Sequence, residues 1–285
     1  MDKVLLIIGL GLVVVIVLTG GFGAASSLGL SAPSLSFFGS GGPLASGSGT
    51  KDFSSSSVSV PDSTESSPAS QKRGTVKIES VSRADSSRPQ DEYVVIRYES
   101  SSGAAIAVSS WSVGNTLGNR FTLGFAEPIA TNSALETVKL RPGDEVYIHT
   151  GASPLGVGFR ENTCTGYFNQ NHSFDPTLSE SCPRPDTSRL TQFNDACLRF
   201  LDRAQTCRTL DITGEGSIGI GSACTDYINS HFSYTSCVAD ERGKSGFLKP
   251  VWHLYLNRPS AIWRSFHDRI TLYDEFGQVV DTYNY

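Results

Sequence analysis

The sequence predicts a mainly β protein. An antiparallel β-sandwich carries a helical, disulfide-stapled insertion and is preceded by a single N-terminal transmembrane helix. Three observations lead there. From residue 75 onwards, short segments rich in β-branched and aromatic residues are separated by Gly, Asn, Pro and Ser. All six cysteines of the 285-residue chain fall between Cys164 and Cys237. Residues 4–18 form a run of fifteen residues without a charge.

A bilayer core of about 30 Å takes about 20 helical residues, so this run is short for a span. It is long for the apolar part of a signal peptide, and the weakly apolar 19–25 extends it further. Small residues at 23–27 offer a peptidase site, which leaves two readings, an uncleaved anchor or a cleaved signal. Lys3 is the only basic residue before Lys51 and places the N-terminus in the cytosol. Both readings send residues 26–285 across the membrane. Residues 26–74 are dominated by Ser, Gly and Pro and bury too little apolar area to offset the entropy of ordering. Such a disordered linker holds the next domain about 40 Å from the membrane.

Strands are expected at 75–81, where Val76, Ile78 and Val81 alternate with polar neighbours, and at 92–98, 105–113, 120–123, 137–140 and 145–149. Pro142-Gly143 reads as a tight turn. Short strands at this spacing favour an antiparallel sandwich over a parallel sheet. Towards the end, 251–256, 269–273 and 279–285 read as strands, with a short helix at 260–266. The loop Asp274-Glu-Phe-Gly277 closes a hairpin, its glycine taking the left-handed position.

The cysteines fall into three copies of one pattern: Cys164-Thr-Gly-Tyr167-Phe168 closing at Cys182, Cys197-Leu-Arg-Phe200-Leu201 closing at Cys207, and Cys224-Thr-Asp-Tyr227-Ile228 closing at Cys237. Cys197, Phe200, Leu201 and Ala204 share one helical face, and Cys224, Tyr227, Ile228 and Phe232 nearly repeat it. Asn194 or Asp195 would cap the first helix and Ser222 the second. An even count in one stretch implies disulfides, which persist outside the reducing cytosol. Repetition suggests sequential pairing (Cys164 with Cys182, Cys197 with Cys207, Cys224 with Cys237), although six cysteines allow many connectivities. Zinc calls for closely spaced pairs, and the shortest gap here holds nine residues.

In this order, the β segments resemble a lamin tail domain, a small immunoglobulin-like sandwich. The resemblance rests on Asp91-Glu-Tyr93-Val-Val-Ile-Arg97, Val108-Ser-Ser-Trp111, Arg120-Phe121-Thr-Leu123, Leu140-Arg-Pro142-Gly143-Asp-Glu-Val146-Tyr-Ile148-His-Thr-Gly151 and Asp268-Arg-Ile-Thr-Leu272-Tyr-Asp274-Glu-Phe-Gly277-Gln-Val-Val-Asp281-Thr-Tyr283. Together with the N-terminal segments read above, it divides the chain into four parts. Residues 1–25 are the anchor or signal segment and 26–74 the linker. Residues 75–158 with 251–285 form the sandwich, and 159–250 are the cysteine-rich helical insertion. The family's prokaryotic members imply an exported binding or tethering role. Its nuclear role in contacting DNA does not carry over, because a net charge of −5 lacks the basic stripe that phosphate contacts need.

No complete catalytic motif appears. The segment 238–245 resembles the end of a phosphate loop but has Val238 where glycine is required. Asp211-Ile-Thr213-Gly-Glu215-Gly216 resembles a calcium loop but has Ser222 in place of the bidentate glutamate. The histidines, His149 and His253 among them, are scattered along the chain and read as structural. Trp111, Trp252 and Trp263 read as packing residues rather than sugar platforms. Asn171-His-Ser173 is a formal glycosylation sequon.

The reading is therefore a non-catalytic extracytoplasmic protein of the cell membrane, single-pass, or secreted if the N-terminal segment is cleaved. It needs no cofactor and no metal, and touches the membrane through its N-terminal helix. Its partner is an extracytoplasmic protein or glycan rather than nucleic acid, expected on the insertion. The alternatives are a self-associating structural component of the envelope, or a hydrolase using acidic residues such as Asp195, Asp202 and Asp211. The oligomeric state is left open.

Overall fold

A computed structural model describes residues 68–285, apart from 83, 132, 188 and 189. The expected anchor, and the linker as far as residue 67, lie outside the described residues. Among the described residues no helix is long and apolar enough to cross a membrane.

The strands are β1 (Val76–Ser82), β2 (Tyr93–Tyr98), β3 (Ile106–Ala107), β4 (Ser112–Gly114), β5 (Arg120–Thr122), β6 (Ala126–Glu127), β7 (Lys139–Leu140), β8 (Glu145–His149), β9 (Gly158–Asn162), β10 (Leu248–Tyr255), β11 (Arg269–Tyr273) and β12 (Val279–Asn284). They form a six-stranded sheet in the order β1-β2-β8-β10-β9-β6, a four-stranded sheet β12-β11-β4-β5 and a small β3-β7 pair. Alternation along the strands builds the core. Val76 and Ile78 point in while Lys77 and Glu79 point out, and Val146 and Ile148 repeat the pattern on β8. These side chains join Trp111, Val113, Ile270, Leu272 and Val280 of the second sheet region in one buried cluster. Each such aliphatic side chain contributes about 1.5–3 kcal/mol on burial.

Two turns follow their residues. Gly143 and Gly277 both adopt the left-handed conformation, at φ 84° and 75°. In the second, Asp274 accepts from the N–H groups of Phe276 and Gln278. Burial opposes its charge, yet these bonds and nearby Ser70 hold its carboxyl below the usual carboxylate range.

The expectation of a wholly antiparallel sandwich is corrected. β8 and β10 run parallel, as do β6 and β9. The cause is topological. β8 and β9 run in opposite senses, joined by a short connection, and β10 is wedged between them. A strand placed between two antiparallel strands must run parallel to one of them.

The linker boundary also moves. Residues 68–74 are docked, with a bridge between Ala69 and Val279 and a bond from Ser70 N–H to the Val279 carbonyl. Lys72 pairs with Glu275, whose carboxylate also accepts from Trp111 Nε1 at 2.8 Å. No helix forms at 260–266. The N–H groups of Ile262 and Trp263 donate to the fully buried carboxylate of Glu92, and that of Arg264 donates to Asp268. Side-chain oxygens take the bonds that helix carbonyls would have received.

β9 occupies residues that the sequence reading gave to the insertion. It pairs with β10, Asn162 opposite Leu248, and Thr163 N–H donates to the Phe247 carbonyl. The cysteine-rich stretch is thus the enlarged connection between two neighbouring strands. It holds α1 (Asp195–Asp202), α2 (Ser222–His231) and α3 (Tyr234–Glu241). Asn194 caps α1 by accepting from Cys197 N–H at 2.8 Å. Ser222 does not cap α2, which starts after Gly221 at φ 81°. The sequence reading missed α3, whose capping box is Ser233 with Ser236 in place of the usual acid or amide.

All six predicted cysteines are bridged, but none in the sequential pairing. The bonds are Cys164–Cys237, Cys182–Cys207 and Cys197–Cys224. In α1 and α2 the repeated pattern records helical periodicity, which puts Cys197 and Cys224 on buried faces, whereas Cys164 precedes the short turn Thr165–Gln170. Cys197 of α1 and Cys224 of α2 then meet one another across a shared apolar cluster with Leu201, Ile228 and Phe232.

Candidate functional site

Alternation on the six-stranded sheet sends a second set of residues to the face opposite the core. Tyr147 and His149 leave β8 on that side, His253 and Tyr255 leave β10, and Phe159 and Glu161 leave β9. The register sets Tyr255 opposite His149, and His253 opposite both Tyr147 and Phe159. The rings stack accordingly: His149 on Tyr255 at 4.6 Å, Phe159 on His253 at 4.9 Å and Tyr147 on His253 at 5.3 Å.

The cysteine-rich stretch covers this face. Phe168, Phe174, Leu178 and Tyr234 pack with Phe159 and Tyr255. The Cys164–Cys237 bridge ties the turn Thr165–Gln170 to α3, and Phe168 and Tyr234 meet there at 4.2 Å. Burial pushes the Tyr234 phenol up to about 12, against the opposing effect of its bond from Asn162. Burial likewise pushes the Tyr255 phenol up.

Beneath this cover three polar side chains form a line. His149 Nε2 lies 2.9 Å from His253 Nδ1, and His253 Nε2 lies 2.8 Å from a Glu161 carboxylate oxygen. Both rings are buried, at 2% and 1% exposure. Burial, and then the neighbouring His253, hold the His149 imidazole well below its ordinary value, so it is neutral. His149 Nδ1 has no hydrogen-bond partner among the described residues.

A cleft of about 280 Å³ reaches the His149 ring at the seam between sheet and cover. Arg88, Gln90 and Asp91 form one wall, and Phe174 and Tyr255 supply aromatic surface. Arg88 pairs with Asp91. Sequence reasoning took the two histidines singly and missed their meeting. The signal was their outward phase on strands otherwise filled with β-branched and aromatic residues.

The other sequence candidates lie elsewhere. Asp195, Asp202 and Asp211 are exposed. Asp211 accepts from the hydroxyl and N–H of Thr213, bonds that lower its pKa, so the calcium-like stretch is a self-bonded turn. Part of the phosphate-loop-like stretch ends α3, and Lys244 pairs there with Glu241. Trp111, Trp252 and Trp263 are all buried. Among the described residues no cluster of His, Cys, Asp and Glu has the arrangement of a metal site. No protein-family model matches the chain, and no curated protein matches it.

Proposed function

We propose that the protein is a non-catalytic, membrane-anchored binding protein of the extracytoplasmic space, in which a lamin-tail-like sandwich presents the stapled segment. The cleft at their seam is its ligand site. The observation that carries this reading is that cleft, which pairs aromatic walls with a buried imidazole whose Nδ1 has no hydrogen-bond partner among the described residues. Small-molecule sites typically combine apolar walls with a few placed polar groups. The three disulfides support an oxidising compartment. The apolar run 4–18 supports attachment to the membrane. Four of the five motifs behind the family resemblance fall on β2, β5, β8, β11 and β12, and Val108-Ser-Ser-Trp111 forms the turn leading into β4, which supports the lamin-tail reading. A His149 held neutral suits a hydrogen-bonding role better than general-base catalysis, which favours a pKa near the working pH.

The test is co-sedimentation of purified full-length protein with isolated cell envelopes. Wild type should pellet, and Arg88→Ala with Phe174→Ala should cut the pelleted fraction at least fivefold. Unchanged pelleting of that double variant removes the cleft from the reading. Failure of the wild type to pellet, with concentration-dependent self-association instead, favours a structural envelope component.

A further inference from the structure

Asn171-His172-Ser173 is the only Asn-x-Ser/Thr sequence in the chain, and its middle residue is not the proline that would disqualify it. Such a motif accepts a glycan where it lies on the surface of an exported protein. The fold meets the surface condition, since all three residues are exposed. They follow the turn Thr165–Gln170, and the N–H groups of Asn171 and His172 close it by donating to the Phe168 carbonyl at 3.1 and 2.9 Å. The Cys164–Cys237 bridge fixes the other end of that turn. The backbone is held there while the side chains stay outside.

A neighbour two residues earlier shows the difference. The Asn169 amide turns inward and donates to the Leu178 carbonyl at 2.7 Å and to Glu180 at 3.3 Å. The Asn171 amide and the Ser173 hydroxyl make no hydrogen bond to any described residue. Both groups that the motif uses are therefore unengaged and outward.

We propose that Asn171 is an N-glycosylation site, which takes its glycan from a lipid-diphosphate-linked donor outside the cytosol. In the transfer, the amide nitrogen of Asn171 bonds to the anomeric carbon of the donor sugar. The bond from that carbon to the phosphate oxygen breaks and the lipid diphosphate leaves. The amide gives one proton to a base on the transferase, and nothing is oxidised or reduced. Ser173 supplies the hydroxyl that the motif requires two residues on. Ser173 and Phe174 also border the cleft, so the glycan stands at its rim, a bulky and solubilising group beside an aromatic wall. The inference rests on the extracytoplasmic part of the reading above and on nothing about the ligand of the cleft.

For the experiment, full-length protein is isolated from its own cells with free thiols blocked. Its peptides are mapped by mass spectrometry without reduction. The peptide holding Asn171 should carry mass increments of whole sugars. Asn171→Gln and Ser173→Ala, expressed in the same cells, should abolish them. Ser173→Thr should keep them, because a threonine hydroxyl also serves the motif. These positions are exposed, so the variants should fold, and the bridges seen in the same maps check it. A bare Asn171 in protein whose six cysteines are bridged overturns the site and leaves the export reading standing. A bare Asn171 beside free cysteines overturns both. Sugar that persists in Asn171→Gln sits on another residue and also overturns the site.

Discussion

The sandwich and the stapled segment are held together in different ways. The sandwich is built around one cluster of large side chains, Trp111, Ile96, Leu140, Ile148 and Leu272 among them, with no cysteine in it. The stapled segment has two small clusters, and in one of them four of the seven buried residues are cysteines. Covalent closure there stands in for apolar area. The pairing makes that closure more effective than the sequential one would have been. Its bridges span 73, 25 and 27 residues, and longer loops lose more unfolded-state entropy, about 3 to 5 kcal/mol per bridge in the chain-entropy model.

The largest expected effect comes from reduction. Dithiothreitol should open residues 163–247 to limited proteolysis while the four-stranded sheet stays protected, as read by mass spectrometry of the fragments. Simultaneous loss of both regions would show that they do not differ in this way. Next in size, Leu272→Ala should cost about 2–5 kcal/mol by leaving a cavity in the sandwich. Its loss in urea unfolding should be similar in oxidised and reduced protein. A loss confined to the oxidised form would contradict the separation.

Gly166→Ala probes the other region. A β-carbon there would meet the Ser179 carbonyl oxygen and Cys207 Sγ. Overpacking against a bridge should destabilise by about 1–3 kcal/mol, seen as faster proteolysis of the stapled segment only.

The smallest effect sharpens the seam between the regions. His149 is neutral in the fold because burial and His253 lower its pKa, whereas an unfolded histidine titrates near about 6.5. Its contribution is therefore full above about pH 6.5 and falls as the pH drops towards the lowered folded value, because the unfolded chain takes up a proton that the fold excludes. The slope is about 1.4 kcal/mol per pH unit. Urea unfolding of wild type should show it, and His149→Phe should flatten it. Equal slopes in both would remove His149 from the pH response.

Legibility tracked the range of the interactions. The β8 and β10 patterns announced strands because alternation is local. The α1 helix was legible from a cap and a 3.6-residue period, while α3 was hidden because its capping box uses Ser236. The helix expected at 260–266 was lost to carboxylates distant in sequence, Glu92 above all. The candidate site was nearly illegible. Its two histidines are 104 residues apart, and only the placement of β10 beside β8 makes them neighbours.

By itself the sequence determined which residues can face a core, where turns need glycine, and that the cysteines form a bridged group, since these come from side-chain chemistry and local period. The tertiary structure alone decided which cysteines pair, why the sheet is mixed, and that Glu161, His253 and His149 stand in line under the stapled segment. The reason is that β10 closes an 85-residue connection by entering between two strands already laid down. No local pattern records which slot in a sheet a returning strand will take.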